Sequence, residues 1–191
     1  MQAEYKVVRT SWTGSRYTAQ DAGGNELYTI RSGSKSAKFF PPGAEMPQFE
    51  MKALSFFSTQ LAFVESSDNY VFGYLKPKGS TWLLLNVAES QIGVFQGGLT
   101  REAVEASIQP IETKGLGTFA ALKLAYQKAA ESARFYELLV EEKPVLRFEM
   151  AKDRKSVDAT VLSQHIKDVD ERVVLMLAVR CFVAQQDKQS G

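Results

Sequence analysis

Side chains that could act as nucleophiles and bases are few in this chain. There is one histidine, His165, and one cysteine, Cys181. Ser163 precedes His165 by two residues and gives the minimum pair of nucleophile and base, but no Gly-x-Ser-x-Gly motif occurs. Cys181 lies within an apolar stretch, where burial keeps a thiol protonated and inert. We therefore expect a protein without catalytic machinery, not an enzyme.

Acidic residues occur in two groups that could hold a cation or serve a glycosidase. Glu141 and Glu142 precede Lys143 and Pro144, and this sequence favours solvated charge at the tip of a hairpin over a cation or glycosidase site. Asp168, Asp170 and Glu171 lie just before an apolar segment, where carboxylates cap a helix and interact favourably with its dipole.

One cysteine and one histidine cannot form a Cys/His zinc cage within one chain. Gly115 and Gly117 precede a predicted helix, whose first turn could bind a phosphate, but the alternative is a plain connector. The spacing of these glycines matches neither a Walker motif nor a dinucleotide-binding motif. No metal and no cofactor are therefore expected.

Basic residues form the remaining candidate site. Lys76 and Lys78 flank a proline after a predicted strand, and Arg154 and Lys155 end a predicted turn. Near an anionic membrane each such cation contributes about 1 kcal/mol of attraction. A lipid-headgroup site needs two or three of them to converge, and the alternative is ordinary solvated surface charge.

Composition limits the class of protein. The hydrophobic fraction is 45% and the charged fraction 24%, which is typical of a folded globular chain. The formal net charge of +1 argues against a nucleic-acid partner, since such proteins usually carry a strong basic excess. The longest apolar stretch, 173–184, is interrupted by Arg180 and is shorter than the about 20 residues that span a bilayer. We expect one soluble domain over 1–191, located in the cytoplasm or peripherally at a membrane.

Most of the chain alternates between apolar and polar residues, which predicts strands. A Gly/Ser/Pro-rich connector is expected over 32–48, and helices over about 100–108 and 118–134, the second rich in alanine. These helices would form an insertion at about 100–134. The predicted strands are 5–10, 16–20, 26–31, 49–53, 61–65, 70–76, 81–87, 91–96, 135–141, 145–150 and 157–162.

A helix predicted over about 171–186 is apolar around nearly its whole circumference. Such a helix must be buried on all sides. Because the rest of the chain is mostly strands, the arrangement that covers it is a closed barrel with the helix as its core. A barrel filled in this way leaves no room for a cargo molecule, which disfavours a lipocalin-like carrier.

One hairpin pattern occurs twice. Residues 17–30 align without a gap onto residues 82–95, and in each copy a strand beginning with an aromatic residue leads to an Asp or Asn turn and a second strand. Either a hairpin unit is duplicated, or any two hairpins resemble each other at this level.

These two hairpins, together with Asp170-Glu171-Arg172-Val173 leading into the apolar helix, resemble the tubby C-terminal-like superfamily, which includes phospholipid scramblases and LURP-one-related proteins. The resemblance implies a barrel of about twelve antiparallel strands around the C-terminal helix, mostly β overall. It also implies a non-enzymatic module that binds anionic membrane lipid headgroups or a protein partner, with Lys76, Lys78, Arg154 and Lys155 as the candidate lipid site. The alternative is an interaction scaffold or stress-response factor without lipid binding.

Overall fold

The computed structural model describes residues 4–11, 15–33, 35–98, 135–151, 155–162 and 169–187, with side chains up to residue 182 in the last range. Its strands pair in chain order, each antiparallel to the next, and the last returns to the first to close a 12-strand barrel. The strands are β1 Glu4–Arg9, β2 Arg16–Asp21, β3 Glu26–Ser32, β4 Ser36–Phe40, β5 Phe49–Ala53, β6 Leu61–Glu65, β7 Val71–Lys78, β8 Thr81–Leu85, β9 Gln91–Gly98, β10 Phe135–Val140, β11 Lys143–Met150 and β12 Ser156–Val161.

The helix α1, Glu171–Asp187, follows β12 and fills the barrel. Residues Val173 to Val179, with Cys181 and Phe182, are all at least 95% buried, so the helix is enclosed around its whole circumference. In β1, for example, the buried Tyr5 and Val7 alternate with the exposed Glu4 and Lys6, as the two-residue period of a strand requires. The predicted closed barrel with a buried helix at its core is confirmed.

One strand was missed by the sequence prediction. β4 lies inside the predicted connector 32–48, and its Lys38 faces outward while Ala37 and Phe39 are fully buried. The alternation that marks a strand is present there, but it is short and lies between Gly/Ser-rich and Pro-rich segments, which favour a loop. The structure therefore corrects the loop assignment of Lys38.

The β10–β11 hairpin is tighter than predicted. Glu141 and Glu142 form its two-residue turn with positive φ angles of 50° and 63°, and Lys143 and Pro144 already belong to β11. Two successive residues with positive φ give the turn geometry that matches the twist of paired strands. The helices and the insertion predicted at about 100–134 lie outside the described residues, as do Ser163, His165, Asp168 and Arg154.

Candidate functional site

The up-and-down strand order gives the barrel two distinct ends. Because neighbouring strands are antiparallel, every odd-numbered strand finishes at the same end, and every even-numbered strand finishes at the other. We call the end where odd-numbered strands finish the basic end, and the end where even-numbered strands finish the acidic end, after the charged residues found there. The helix α1 follows β12, so it begins at the acidic end and runs toward the basic end.

Charged side chains are segregated along the barrel axis. Each end is taken as the two terminal residues of every strand there, the connecting loops and the adjoining part of α1, within the described residues. At the basic end, among the residues whose side chains are described, the only acid so placed is Glu149, and the cations are Arg9, Arg16, Arg31, Lys35, Lys52, Lys78, Lys155 and Arg180. Of these, Lys52 is ion-paired at 2.5 Å with Glu50, which lies toward the acidic end of the same short strand.

The acidic end has the opposite composition. Within the described part of the chain, its cations are Lys143 and Arg172. Its acids come from nearly every loop: Glu4, Asp21, Glu26, Glu45, Glu50, Glu65, Asp68, Glu89, Glu141, Glu142, Asp170 and Glu171. Among the described residues, positive and negative charges are thus strongly separated along the barrel axis, although the whole chain has a formal net charge of only +1.

Two arginines lie over aromatic rings where the core helix reaches the basic end. The guanidinium of Arg180 is 4.4 Å from the centroid of the Trp82 ring, and that of Arg9 is 5.5 Å from the ring of Phe182. Tyr17 packs against the same phenylalanine at 4.8 Å, and its burial raises the pKa of its hydroxyl although the nearby Arg9 opposes that shift. Cation–π contacts hold both charges at the mouth of the barrel.

A pocket of about 290 Å³ opens beside the Arg180–Trp82 pair. Lys35 lines one side of it, and Met51 and Leu61 contribute apolar surface. Ser58, in the β5–β6 loop, also lines it. A pocket lined by apolar side chains and two cations suits an amphipathic anion, and its volume is at the small end of the range for ligand sites.

The predicted basic residues lie in two places on this end. Lys76 and Lys78 are exposed on the outer face of β7, and Lys155 is exposed just before β12. In the closed barrel β7 and β12 lie nearly opposite each other, so the structure does not join these residues in one cluster. Arg154 lies outside the described residues. The assignment of these four residues to a lipid site remains a prediction.

One of the acidic candidates, Asp170, has structural partners. The Asp170 carboxylate accepts the backbone N–H of Arg172 at 2.9 Å, which caps α1 as predicted, and it also accepts bonds from the Arg172 side chain. The Arg172 guanidinium bonds to Glu65 as well and lies 4.1 Å from the Phe72 ring centroid. Among the described residues no cluster of His, Cys, Asp or Glu is arranged to hold a metal ion.

The single thiol has the environment expected from the sequence. Cys181 is fully buried in α1, and its Sγ donates a hydrogen bond to the carbonyl of Leu177 at 3.2 Å. Burial raises the thiol pKa well above its usual value, so the group stays neutral.

No helix among the described residues is long and apolar enough to cross a membrane.

Comparison with known proteins bears on the fold. No family model and no curated protein match this chain. It is similar to the crystal structure of the Arabidopsis thaliana protein AT5G01750, with a TM-score of 0.55 and 9% identity over 93% of this chain and 88% of that one. At this identity the likeness concerns the fold alone, and it shows that the barrel of this chain has a natural counterpart in a plant protein.

Proposed function

We propose that this protein is a non-enzymatic, tubby-like barrel that binds anionic lipid headgroups at the cytoplasmic surface of a membrane through its basic end. The observation that supports the proposal is the axial separation of charge. Within the described residues, the strand ends and loops where odd-numbered strands finish carry mostly cations, and those where even-numbered strands finish carry mostly acids. The shared fold with a plant protein is consistent with a tubby-like barrel.

Electrostatics favours one orientation at a charged surface. Each lysine or arginine near an anionic leaflet contributes about 1 kcal/mol, and the attraction falls off within a Debye length of about 8 Å at physiological salt. The barrel axis separates the acidic end from such a surface by the length of its strands. A membrane therefore attracts the basic end while the acidic end faces water.

Lys76 and Lys78 are well placed to contribute to this surface. Both side chains are exposed on the same face of β7, at the last residues before the basic end. Lys155 contributes from the far side of the same rim. A ring of separate cations favours a diffuse anionic surface, because it neutralises several headgroups at once.

Co-sedimentation with liposomes tests the proposal. Vesicles of phosphatidylcholine alone are compared with vesicles containing phosphatidylserine or phosphoinositides, at low and at physiological salt. We expect binding only to the anionic vesicles and a loss of binding as salt rises. Lys78→Glu should weaken it several-fold, and Lys76→Glu with Lys78→Glu should weaken it further.

Lys143→Glu is the matched control, because it makes the same charge change at an exposed residue of the acidic end. Equal effects of Lys78→Glu and Lys143→Glu would contradict binding through one end. Absence of binding to every lipid composition would overturn the proposal and favour an interaction scaffold whose basic end meets an acidic protein.

A further inference from the structure

The β5–β6 loop at the basic end exposes large apolar side chains to solvent. Phe56 is 83% exposed, Phe57 is 89% exposed and Leu54 is 53% exposed. Large apolar side chains that lie together on a protein surface mark interaction sites, whereas isolated ones are normal. We call these three residues the aromatic tip.

The loop that carries the tip is held by hydrogen bonds. The Nζ of Lys35 donates to the carbonyl of Phe56 at 2.7 Å and lies 5.6 Å from the centroid of its ring. The N–H of Ser58 donates to the Ser55 carbonyl at 3.1 Å, and the N–H of Leu54 donates to the Gln60 carbonyl at 3.3 Å. These bonds, with the 5.2 Å edge-to-face contact between the two phenylalanine rings, present the tip outward in the folded state.

The acidic end has no comparable group within the described residues. Its large exposed apolar side chains come one from each of four connections, and the most exposed is Met46 at 76%. Single exposed apolar residues of this kind are normal for a soluble surface. The aromatic tip differs because three large exposed apolar side chains come from one loop, and this loop lies at the basic end.

We infer that Phe56 and Phe57 insert into the interfacial layer of an anionic bilayer when the basic end meets a membrane. The inference rests on the proposed function and adds a hydrophobic contact to it. Charge complementarity identifies the occupant, since Lys35 adjoins the tip and Lys78 lies at the same end. A protruding tip also suits a fluid layer that closes around it. Apolar insertion combined with attraction to anionic lipids is how peripheral proteins bind membranes.

Serine variants separate the apolar contact from the electrostatic one. Full burial of one phenylalanine is worth roughly a tenfold to hundredfold change in partitioning. Phe57→Ser should therefore weaken binding to anionic vesicles by about tenfold or more, and Phe56→Ser with Phe57→Ser should weaken it further. The salt dependence should stay unchanged in these variants, whereas Lys78→Glu should reduce it. Met46→Ser is the control, because it removes a large, strongly exposed apolar side chain from the acidic end.

A probe on the loop measures insertion directly. Cys181 is fully buried and is the single cysteine, so a maleimide dye will label a cysteine introduced at the surface. With the dye NBD on Phe57→Cys, anionic vesicles should raise the fluorescence, and lipids brominated on their acyl chains should quench it. The same dye on Met46→Cys should show neither effect.

These experiments distinguish failure of membrane insertion from failure of the proposed lipid binding. Salt-sensitive binding with a Phe57→Cys probe that stays in water would overturn the inference and leave the proposed function standing. The tip would then serve a protein partner. Binding that Met46→Ser weakens as much as Phe57→Ser does would also overturn it. No vesicle binding under any condition would overturn both.

Discussion

Asp21 and Asn86, which lie on opposite sides of the barrel, hold their hairpins with the same hydrogen bonds. The side-chain oxygen of Asp21 accepts the N–H of Asn25 at 2.8 Å, and that of Asn86 accepts the N–H of Ser90 at 2.9 Å. In return, the N–H of Asp21 donates to the Asn25 carbonyl at 3.0 Å, and the N–H of Asn86 donates to the Ser90 carbonyl at 2.9 Å.

The two hairpins agree in their irregularities as well. Gly24 and Glu89 occupy the same turn position, with positive φ angles of 81° and 58°. Both hairpins also shift register at the same place, immediately before Gln20 in β2 and immediately before Leu85 in β8. The sequence similarity between residues 17–30 and 82–95 therefore corresponds to a repeated structure, which favours a duplicated hairpin over chance likeness.

Replacement of Asp21 by Asn, the residue at the equivalent position, should change the acid stability of the protein. Hydrogen bonds from the Asn25 side chain and backbone hold the pKa of Asp21 below its usual value. A lowered folded-state pKa stabilises the fold above the unfolded-state pKa, and this contribution disappears as pH falls through the folded-state value. Asp21→Asn should therefore flatten the fall of the melting temperature below about pH 4. Unchanged acid dependence would show that the turn carboxylate does not contribute.

Leu177→Asp should unfold the domain. Leu177 is fully buried on the core helix, and an unpaired carboxylate there would lose its hydration without gaining a partner. Leu177→Ala should be milder and cost about 2–5 kcal/mol through the cavity that it leaves. Thermal unfolding by circular dichroism measures both, with Val87→Asp as an exposed control. A Leu177→Asp protein with unchanged melting would refute the buried helix.

Gly93→Ala should destabilise the barrel wall. A Cβ at this position would lie 2.6 Å from the backbone carbonyl oxygen of Leu139 on β10, which cannot move as a side chain can. Overpacking of this kind costs about 1–3 kcal/mol. Gly33→Ala is the matched control, since the nearest atom there is the Ser36 hydroxyl at 3.3 Å. Equal denaturation midpoints for the two variants would contradict the close approach of β9 and β10.

Asp170→Ala should weaken the start of the core helix by about 1 kcal/mol at neutral pH, since it removes a helix cap. Burial alone would raise the pKa of Asp170, but its hydrogen bonds with Arg172 outweigh burial and lower it. The carboxylate therefore stabilises the fold above its unfolded-state pKa, and the deficit of the variant should shrink as pH falls below about 4. Urea unfolding across this range measures the effect, with the exposed Glu45→Ala as control. A deficit that does not depend on pH would contradict a charged cap.

The fold could be predicted from the sequence because its main signals are local. The all-round apolar pattern of Val173 to Phe182 requires burial, and the two-residue alternation marks most strands. β4 escaped prediction because Ala37 and Phe39 give too short an alternation to outweigh the turn-forming residues around them.

The candidate site was harder to predict from the sequence, because it depends on which loops lie close together in the folded barrel. Lys76 and Lys78 could be noticed as neighbours in the chain, whereas Trp82 and Arg180 meet only through the placement of α1 inside the barrel. The sequence does carry a signal for the different charges of the two barrel ends. Once an up-and-down order is assumed, the described strand ends and loops where odd-numbered strands finish are mostly basic, and those where even-numbered strands finish are mostly acidic. This pattern needs the full strand count, including β4.

The position of α1 after β12 has a consequence for synthesis on the ribosome. Strands that pair in chain order can form hairpins as they emerge, but the residues that fill the barrel are translated after all of them. Until Phe182 has left the exit tunnel, the nascent sheet has nothing to close around, and its inner face remains available to chaperones. We therefore expect the pairing of β1 with β12 to form late in folding, once the helix has been synthesised.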